Sequence, residues 1–105
     1  MFMEIIDDSL FVLRVLRNPK TICVIWSAPW CAPCAELKKK IEALTKLSND
    51  DKIEFVIFNI DTQVTPNLRH IKMIPTLTLF KDGQEVRRHA GAGLSVVQLK
   101  EFLAL

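Results

Sequence analysis

The sequence has little net charge. Lys and Arg number 14 against 12 Asp and Glu, which gives a formal net charge of +2. The only basic run, residues 38–40, lies in a segment of helical periodicity and indicates a solvated helix face. Because the charge is small and scattered, it excludes the electrostatic footprint of a nucleic-acid-binding or membrane-surface protein.

Long apolar runs are also missing. No stretch approaches the ~18 apolar residues that a membrane span needs. The first ten residues, MFMEIIDDSL, are acidic where a secretory signal would be basic. We therefore expect a cytoplasmic protein without a membrane partner.

The chain lacks internal repeats, low-complexity tracts and Pro/Gly/Ser-rich linkers, and its three glycines all lie in the second half. Hydrophobic residues make up 50% of the 105 positions, which is enough to build one core in a chain of this length. These features predict a single domain over residues 1–105, and we expect a monomer.

Cysteine is scarce, with three residues: Cys23, Cys31 and Cys34. An odd count fits poorly with the disulfide frameworks of secreted domains. A zinc site needs four ligands, and Cys23, His70 and His89 supply neither a second Cys-x-x-Cys pair nor a close His pair. We expect no metal. A purely structural disulfide is a further alternative, but Cys-x-x-Cys beside a βαβ pattern in a cytosolic chain is typical of a redox motif.

Apolar residues at helical spacing predict helices over residues 9–17 and 31–47. In the second helix, the apolar positions expected on one face are Cys34, Leu37, Ile41, Leu44 and Leu47. A short third helix through residues 65–71 follows Asp61 and Thr62, which we expect to cap it.

Four segments are typical of strands: residues 21–27, 53–60, 75–80 and 84–89. The first two enclose the helix at the cysteine pair and form a right-handed βαβ unit. The last two are joined through Asp82-Gly83, a hairpin dipeptide, and should be antiparallel. Ser95 and Gln98 form a capping-box signature before a final helix. The whole pattern predicts an α/β protein with a mixed central β-sheet of four to five strands, flanked by about four helices on both faces.

Cys31 stands where a buried strand ends and a helix begins. Unpaired backbone N–H groups and the positive end of the helix dipole favour a thiolate there, and only a thiolate attacks a disulfide. Cys34, one turn further along the helix, is placed to attack the resulting mixed disulfide. Between them, Pro33 suits the first helical turn and Ala32 adds no charge.

Two neighbouring residues have two interpretations each. Trp30, beside the attacking thiol, supplies an apolar surface on which a client protein could dock, or it is a core residue. Cys23 lies within an apolar strand, so we interpret it as a small hydrophobe, with a regulatory thiol as the alternative.

The segments WCAPC, FNIDT, IPTLTLFKDGQEV and QLKEFL, in this order and at these separations, resemble the thioredoxin family over nearly the whole chain. The resemblance implies a thioredoxin fold, with Cys31 as nucleophile and Cys34 as resolving thiol. It implies that the Ile74-Pro75 peptide bond is cis and that Pro75 lies against the cysteines. An extended client strand would pair with the backbone at Ile74.

The resemblance also implies an apolar docking surface that Trp30 completes together with the AGAG loop, which includes Gly91 and Ala92. It further implies a cytosolic reductase of protein disulfides with no bound cofactor. Electrons would come from NADPH through a flavin-dependent reductase similar to thioredoxin reductase, and the clients would be disulfide-containing proteins. An oxidase or isomerase, and a binding module that uses the same surface, are the alternatives.

Four positions depart from the family pattern, the first being Ala32, where the usual motif is Trp-Cys-Gly-Pro-Cys. Ile25 and Ile57 stand where many thioredoxins have a buried Asp and a neighbouring Lys. Losing both charges together is physically consistent, because one charge left buried without the other would be costly. Their loss leaves Cys34 without an evident general base and predicts slower resolution. Lys39 stands near the place of a proline that commonly kinks the helix, so we expect a straighter helix.

Overall fold

The computed structural model describes residues 3–48 and 52–105. A five-stranded mixed sheet lies at the centre, in the order β1-β3-β2-β4-β5. The strands are β1 (Met3–Ile5), β2 (Thr21–Ser27), β3 (Ile53–Asn59), β4 (Thr76–Lys81) and β5 (Gln84–Ala90). β1, β3 and β2 run parallel to one another, whereas β4 is antiparallel to both β2 and β5.

Three α-helices follow the strands: α1 (Ala32–Ser48), α2 (Thr65–Leu68) and α3 (Val96–Leu103). The predicted first helix is instead a 3₁₀ turn, Asp8–Leu10, followed by a π-helical turn, Val12–Leu16. Within the described ranges, no helix is long and apolar enough to cross a membrane.

The central strand β2 is buried on both faces, and its side chains alternate between two hydrophobic clusters as the period of a strand requires. Cys23 and Ile25 lie in the cluster beneath α1 and α3. Ile22, Val24 and Trp26 lie in the opposite cluster, beneath the N-terminal helical segment. Helices therefore cover both faces of a mixed sheet, which confirms the predicted α/β fold class.

The apolar face of α1 differs from the prediction at its C-terminal end. Leu47 is 87% exposed, while Thr45 is buried. At 3.6 residues per turn, position 45 continues the face of Ile41 and position 47 lies off it. The Thr45 hydroxyl donates to the Ile41 carbonyl at 2.9 Å, so its polar group is satisfied within the helix. The prediction for Leu47 was wrong.

The predicted cap of α2 was also wrong. The N-cap residue is Val64, without a side-chain hydrogen bond of its own. The carboxylate of Asp8 supplies the cap, accepting from the backbone N–H of Val64 at 2.9 Å and of Thr65 at 2.8 Å. Burial acts to raise the pKa of Asp8, but hydrogen bonds from the Thr65 hydroxyl and from these two N–H groups outweigh it and lower that pKa.

The C-terminal half follows the predicted turn and cap. Asp82 and Gly83 both have positive φ, 51° and 78°, as the two central residues of a type I′ hairpin turn do. At the start of α3, the Ser95 hydroxyl accepts from the Gln98 N–H at 3.1 Å. The Gln98 side chain in turn accepts from the Ser95 N–H at 2.9 Å. This capping box fixes where the last helix begins.

Candidate active site

The cysteine pair lies where β2 ends and α1 begins. The Ile60 N–H donates to the Ser27 carbonyl at 3.0 Å, which joins the ends of the parallel strands β2 and β3. The Cys31 N–H donates to the Ala28 carbonyl at 3.2 Å, which closes a turn that leads into α1. The carboxyl edge of parallel strands is the usual place for a site in an α/β sheet, and this turn presents Cys31 there.

Cys31 and Cys34 form a disulfide, with their Cα atoms 5.3 Å apart. Their exposure differs, because Cys31 is 7% exposed and Cys34 is fully buried. A thiolate must reach the incoming sulfur to exchange with it. Of the two residues, Cys31 is the more exposed to an incoming protein disulfide.

The first turn of α1 stabilises negative charge on the Cys31 sulfur. The backbone N–H of Cys34 donates to Cys31 Sγ at 3.2 Å. This first turn, which is described in full, contains no acidic residue to oppose the charge. A 17-residue helix adds the positive end of its dipole at the same point. The local field therefore favours the thiolate that disulfide exchange requires.

The sulfur atoms lie in an apolar setting. Cys31, Cys34 and Ala28 form a small buried cluster, against which Ile60 and Ile74 pack. The immediate packing partners of the two sulfur atoms are therefore hydrophobic. An attacking thiolate in such a setting is little solvated.

The Ile74-Pro75 peptide bond is cis. Pro75 is buried and Ile74 half-buried. The Gly91 N–H donates to the Pro75 carbonyl at 2.7 Å, which ties the loop before β4 to the loop after β5. The side chain of Ile74, packed beside the cysteines, and the exposed residue Ala92 thus lie on two loops that a backbone hydrogen bond holds together.

Trp30 lies at the surface, with 69% of its area exposed. Its indole Nε1–H donates to Asp61 Oδ2 at 2.6 Å. The Asp61 N–H in turn donates to Asn59 Oδ1 at 2.9 Å, which anchors this carboxylate to the end of β3. Trp30 is therefore not a core residue, and an apolar ring held open to solvent suits a docking role.

Asp61 is a site residue that the sequence reasoning missed, since it was assigned as a helix cap. Ala32 and Pro33 are both exposed at the start of α1 and leave the Cys31 sulfur unobstructed by bulky or charged groups.

The two histidines lie in different segments of the fold. His70 lies just after α2, and His89 lies in β5. Within residues 3–48 and 52–105, no group of three or more potential metal ligands occurs.

Cys23 lies within β2 and is fully buried. Burial in apolar surroundings raises the pKa of the Cys23 thiol far above its usual range. The interpretation as a small hydrophobe agrees with this setting, because an inaccessible neutral thiol neither exchanges with disulfides nor reacts with alkylating reagents.

Alkylation of the fully reduced protein should follow the order of sulfur accessibility. We expect iodoacetamide to modify Cys31 first and Cys34 more slowly, and to reach Cys23 only after denaturant is added. Peptide mapping by mass spectrometry at successive times gives the order directly. A Cys23→Ala variant serves as the control, since it should lose only the denaturant-dependent adduct. Modification of Cys23 in native buffer at the rate of Cys31 would contradict this account.

Comparison with known proteins connects this geometry to one family. The thioredoxin family model matches residues 2–104. The thioredoxin of Mycobacterium tuberculosis is 31% identical over 100 residues, which cover 92% of this chain and 84% of the relative. The thioredoxin of Buchnera aphidicola subsp. Baizongia pistaciae is 36% identical over 101 residues, covering 95% and 91%. That of Acidithiobacillus ferridurans is 36% identical over 99 residues, covering 93% and 90%.

Proposed function

Since this chain belongs to the thioredoxin family and is a protein-disulfide oxidoreductase, we propose that it reduces the disulfides of client proteins in the cytoplasm. The observation that carries the exchange chemistry of this proposal is the hydrogen bond from the Cys34 N–H to Cys31 Sγ. Donation to the sulfur favours the Cys31 thiolate, which is the form that attacks a client disulfide. We propose that residues 1–105 act as one domain and as a monomer.

The proposed cycle transfers two electrons from the dithiol to the client. The Cys31 thiolate attacks one client sulfur, so that a Cys31–client disulfide forms, the client disulfide breaks and one client thiolate leaves. Cys34 then loses its proton and attacks Cys31 Sγ. The Cys31–Cys34 disulfide forms and the second client thiolate leaves. The difference in exposure between the two sulfurs supports this order of roles.

Trp30, Ile74, Gly91 and Ala92 form the proposed docking surface around the sulfurs. A client segment in extended conformation would pair with the backbone at Ile74, next to the cis Pro75, in the manner of an added β-strand. The exposed indole of Trp30 and the small side chain of Ala92 would contact its apolar residues. Ala32 and Pro33 shape the approach without adding charge.

The proposed electron source is NADPH, through a flavin-dependent reductase of the thioredoxin-reductase type that docks at the same surface. The protein itself then needs no bound cofactor, because its only redox group is the Cys31/Cys34 disulfide. The uncharged Ala32-Pro33 dipeptide and Ile74 favour the reducing direction over an oxidase or isomerase, by resemblance to reductant members of the family.

A thiol-trapping experiment tests the roles of the two cysteines. The prereduced wild-type protein should reduce insulin, and its turnover should consume NADPH when a thioredoxin reductase is added. The Cys34→Ser variant should accumulate a mixed disulfide with insulin, because nothing resolves the bond to Cys31. The Cys31→Ser variant should form no such adduct above background. Trapping through Cys34 instead of Cys31, or no reduction of insulin by the wild-type protein, would refute the proposal.

The resolving step offers a second test, through the two isoleucines that replace the family's charged pair. Ile25 is fully buried on the face of β2 that packs against α1. By resemblance to the family, Ile25→Asp introduces a carboxyl that can accept the proton of Cys34. Burial raises the pKa of such a carboxyl toward neutral, where a general base works best.

We therefore expect Ile25→Asp to shorten the lifetime of the mixed disulfide by at least about tenfold, since general-base catalysis typically contributes ~10²–10⁴. Quenched-flow measurement of mixed-disulfide decay with a peptide disulfide provides the rate. Ile25→Asn is the matched control, because it is similar in size and polarity and has no base. If Asp and Asn gave the same decay rate as wild type, the account of slow resolution would be wrong.

A further inference from the structure

Helix α2 lies between two segments that border the redox site, one at Trp30 and one at Ile74. It has only four residues, Thr65–Leu68, and a single turn does not hold its shape in water. The segment before it carries Asp61, which fixes the Trp30 ring. The segment after it leads directly to Ile74, which packs beside the cysteines. A shift of α2 would therefore move the chain on both sides of it, toward Asp61 and toward Ile74.

The N-terminal end of α2 is held by Asp8, a residue more than fifty positions away in the sequence. Its carboxylate accepts hydrogen bonds from the Val64 N–H, the Thr65 N–H and the Thr65 hydroxyl. Its own backbone N–H donates to Gln63 Oε1 at 2.7 Å. Four hydrogen bonds thus join one residue of the N-terminal 3₁₀ turn to Gln63 and Val64 and to Thr65, the first residue of α2.

The C-terminal end of α2 is held by Arg88, from the edge strand β5. Its guanidinium donates to the carbonyl of Arg69 at 2.9 Å and to that of His70 at 3.2 Å. Two hydrogen bonds to the carboxylate of Glu85, at 2.8 and 2.9 Å, orient the guanidinium. The carbonyls at a helix C-terminus lack partners within the helix, and a cation is favourable there.

The side chain of Arg69 adds a third attachment at the same end. Its guanidinium carbon lies 5.3 Å from the ring centroid of Phe80 and 5.8 Å from that of Phe11, within the range of cation–π contacts. Phe11 and Phe80 are buried core residues. The end of α2 is therefore joined to the sheet both by its carbonyls and by this side chain.

We propose that Asp8 and Arg88 are positioning residues for client docking. By fixing the two ends of α2, they hold Trp30 and Ile74 at the separation that a client polypeptide requires. This inference rests on the proposed function, because it concerns the same surface and the same clients. Neither residue contacts the sulfur atoms, so the chemistry of the thiols does not depend on them.

A positioning role predicts different effects on the reaction rates of two kinds of substrate. A small disulfide needs only the Cys31 thiolate and access to it. A protein disulfide also needs the docking contacts at Trp30 and Ile74. Loss of Asp8 or Arg88 should therefore slow reaction with a protein disulfide and leave reaction with a small one unchanged. A merely structural role would lower the unfolding midpoint and change neither rate in the folded protein, or change both equally.

The test compares prereduced variants in single-turnover reactions with insulin and with 5,5′-dithiobis(2-nitrobenzoate). For Asp8→Ala and Arg88→Gln we expect the rate constant with insulin to fall by about tenfold, within the up to ~100-fold that a misplacement of 1 Å can cost. The rate constant with the small disulfide should stay within about twofold of wild type. Arg88→Lys, which keeps a cationic donor for the carbonyls, should recover part of the loss.

The chain offers a matched control for Arg88. Arg87, its neighbour on β5, donates to the carbonyls of Glu101 and Phe102 at 3.0 and 2.7 Å. It therefore performs the same kind of capping on α3. Arg87→Gln should lose comparable hydrogen bonds and keep the wild-type rate with insulin.

The outcomes distinguish this inference from the proposed function. If wild-type protein fails to reduce insulin, the proposed function fails. If wild type reduces insulin and Asp8→Ala and Arg88→Gln do so equally fast, the positioning role is refuted. It is also refuted if Arg87→Gln loses as much rate with insulin as Arg88→Gln does, or if the rates with both substrates fall in parallel. Asp8→Asn, which keeps one carbonyl acceptor, repeats the test should Asp8→Ala fail to fold.

Discussion

The hydrogen bond from the Cys34 amide to Cys31 Sγ is the interaction on which the function of this molecule depends. It exists because β2 ends one short turn before α1 begins, so that a free N–H group in the first turn of a 17-residue helix points at a sulfur. β2 is buried on both faces of the sheet, and this burial fixes the position of the junction. Much of the fold can thus be understood as a rigid support for one polarised sulfur atom.

In the proposed function, chemistry and recognition use different groups around that sulfur. The two cysteines lie in a small apolar cluster in which Cys34 is inaccessible and Cys31 barely accessible. The residues proposed for recognition lie in three loops: Trp30 in the turn before α1, Ile74 in the loop before β4 and Ala92 in the loop after β5. Hydrogen bonds join these loops to one another and to the sheet, most directly through the Gly91 N–H and the Pro75 carbonyl.

The sequence predicted elements whose signals are local. The Ser95–Gln98 capping box, the Asp82-Gly83 turn and the apolar strand β2 each depend on residues close together in the chain, and each was predicted correctly. Thr45 and Leu47 show the limit of a hydrophobicity pattern. A threonine that satisfies its hydroxyl on the Ile41 carbonyl can occupy the buried position, while a leucine two residues further along is left exposed.

Interactions between distant residues could not be predicted from the sequence. Asp8 caps a helix that begins 57 positions later, and nothing local indicates it. Asp61 had a plausible local role as a cap and instead binds Trp30. The three-residue strand β1 carries too little pattern to be recognised by itself. The roles of the two cysteines remain predictions, while their disulfide, the buried state of Cys34 and the N–H donor to Cys31 are features of the structure.

The reduction potential of the Cys31/Cys34 pair tests the central claim most directly. The protein is equilibrated in a series of thiol–disulfide buffers, its free thiols are trapped by alkylation, and the reduced fraction is measured. A reductant should give a potential near about −270 mV, the value typical of thioredoxins, despite Ile25 and Ile57. A potential near about −180 mV or higher, in the range of isomerases and oxidases, would contradict the reducing role and assign the protein to the delivery of disulfides.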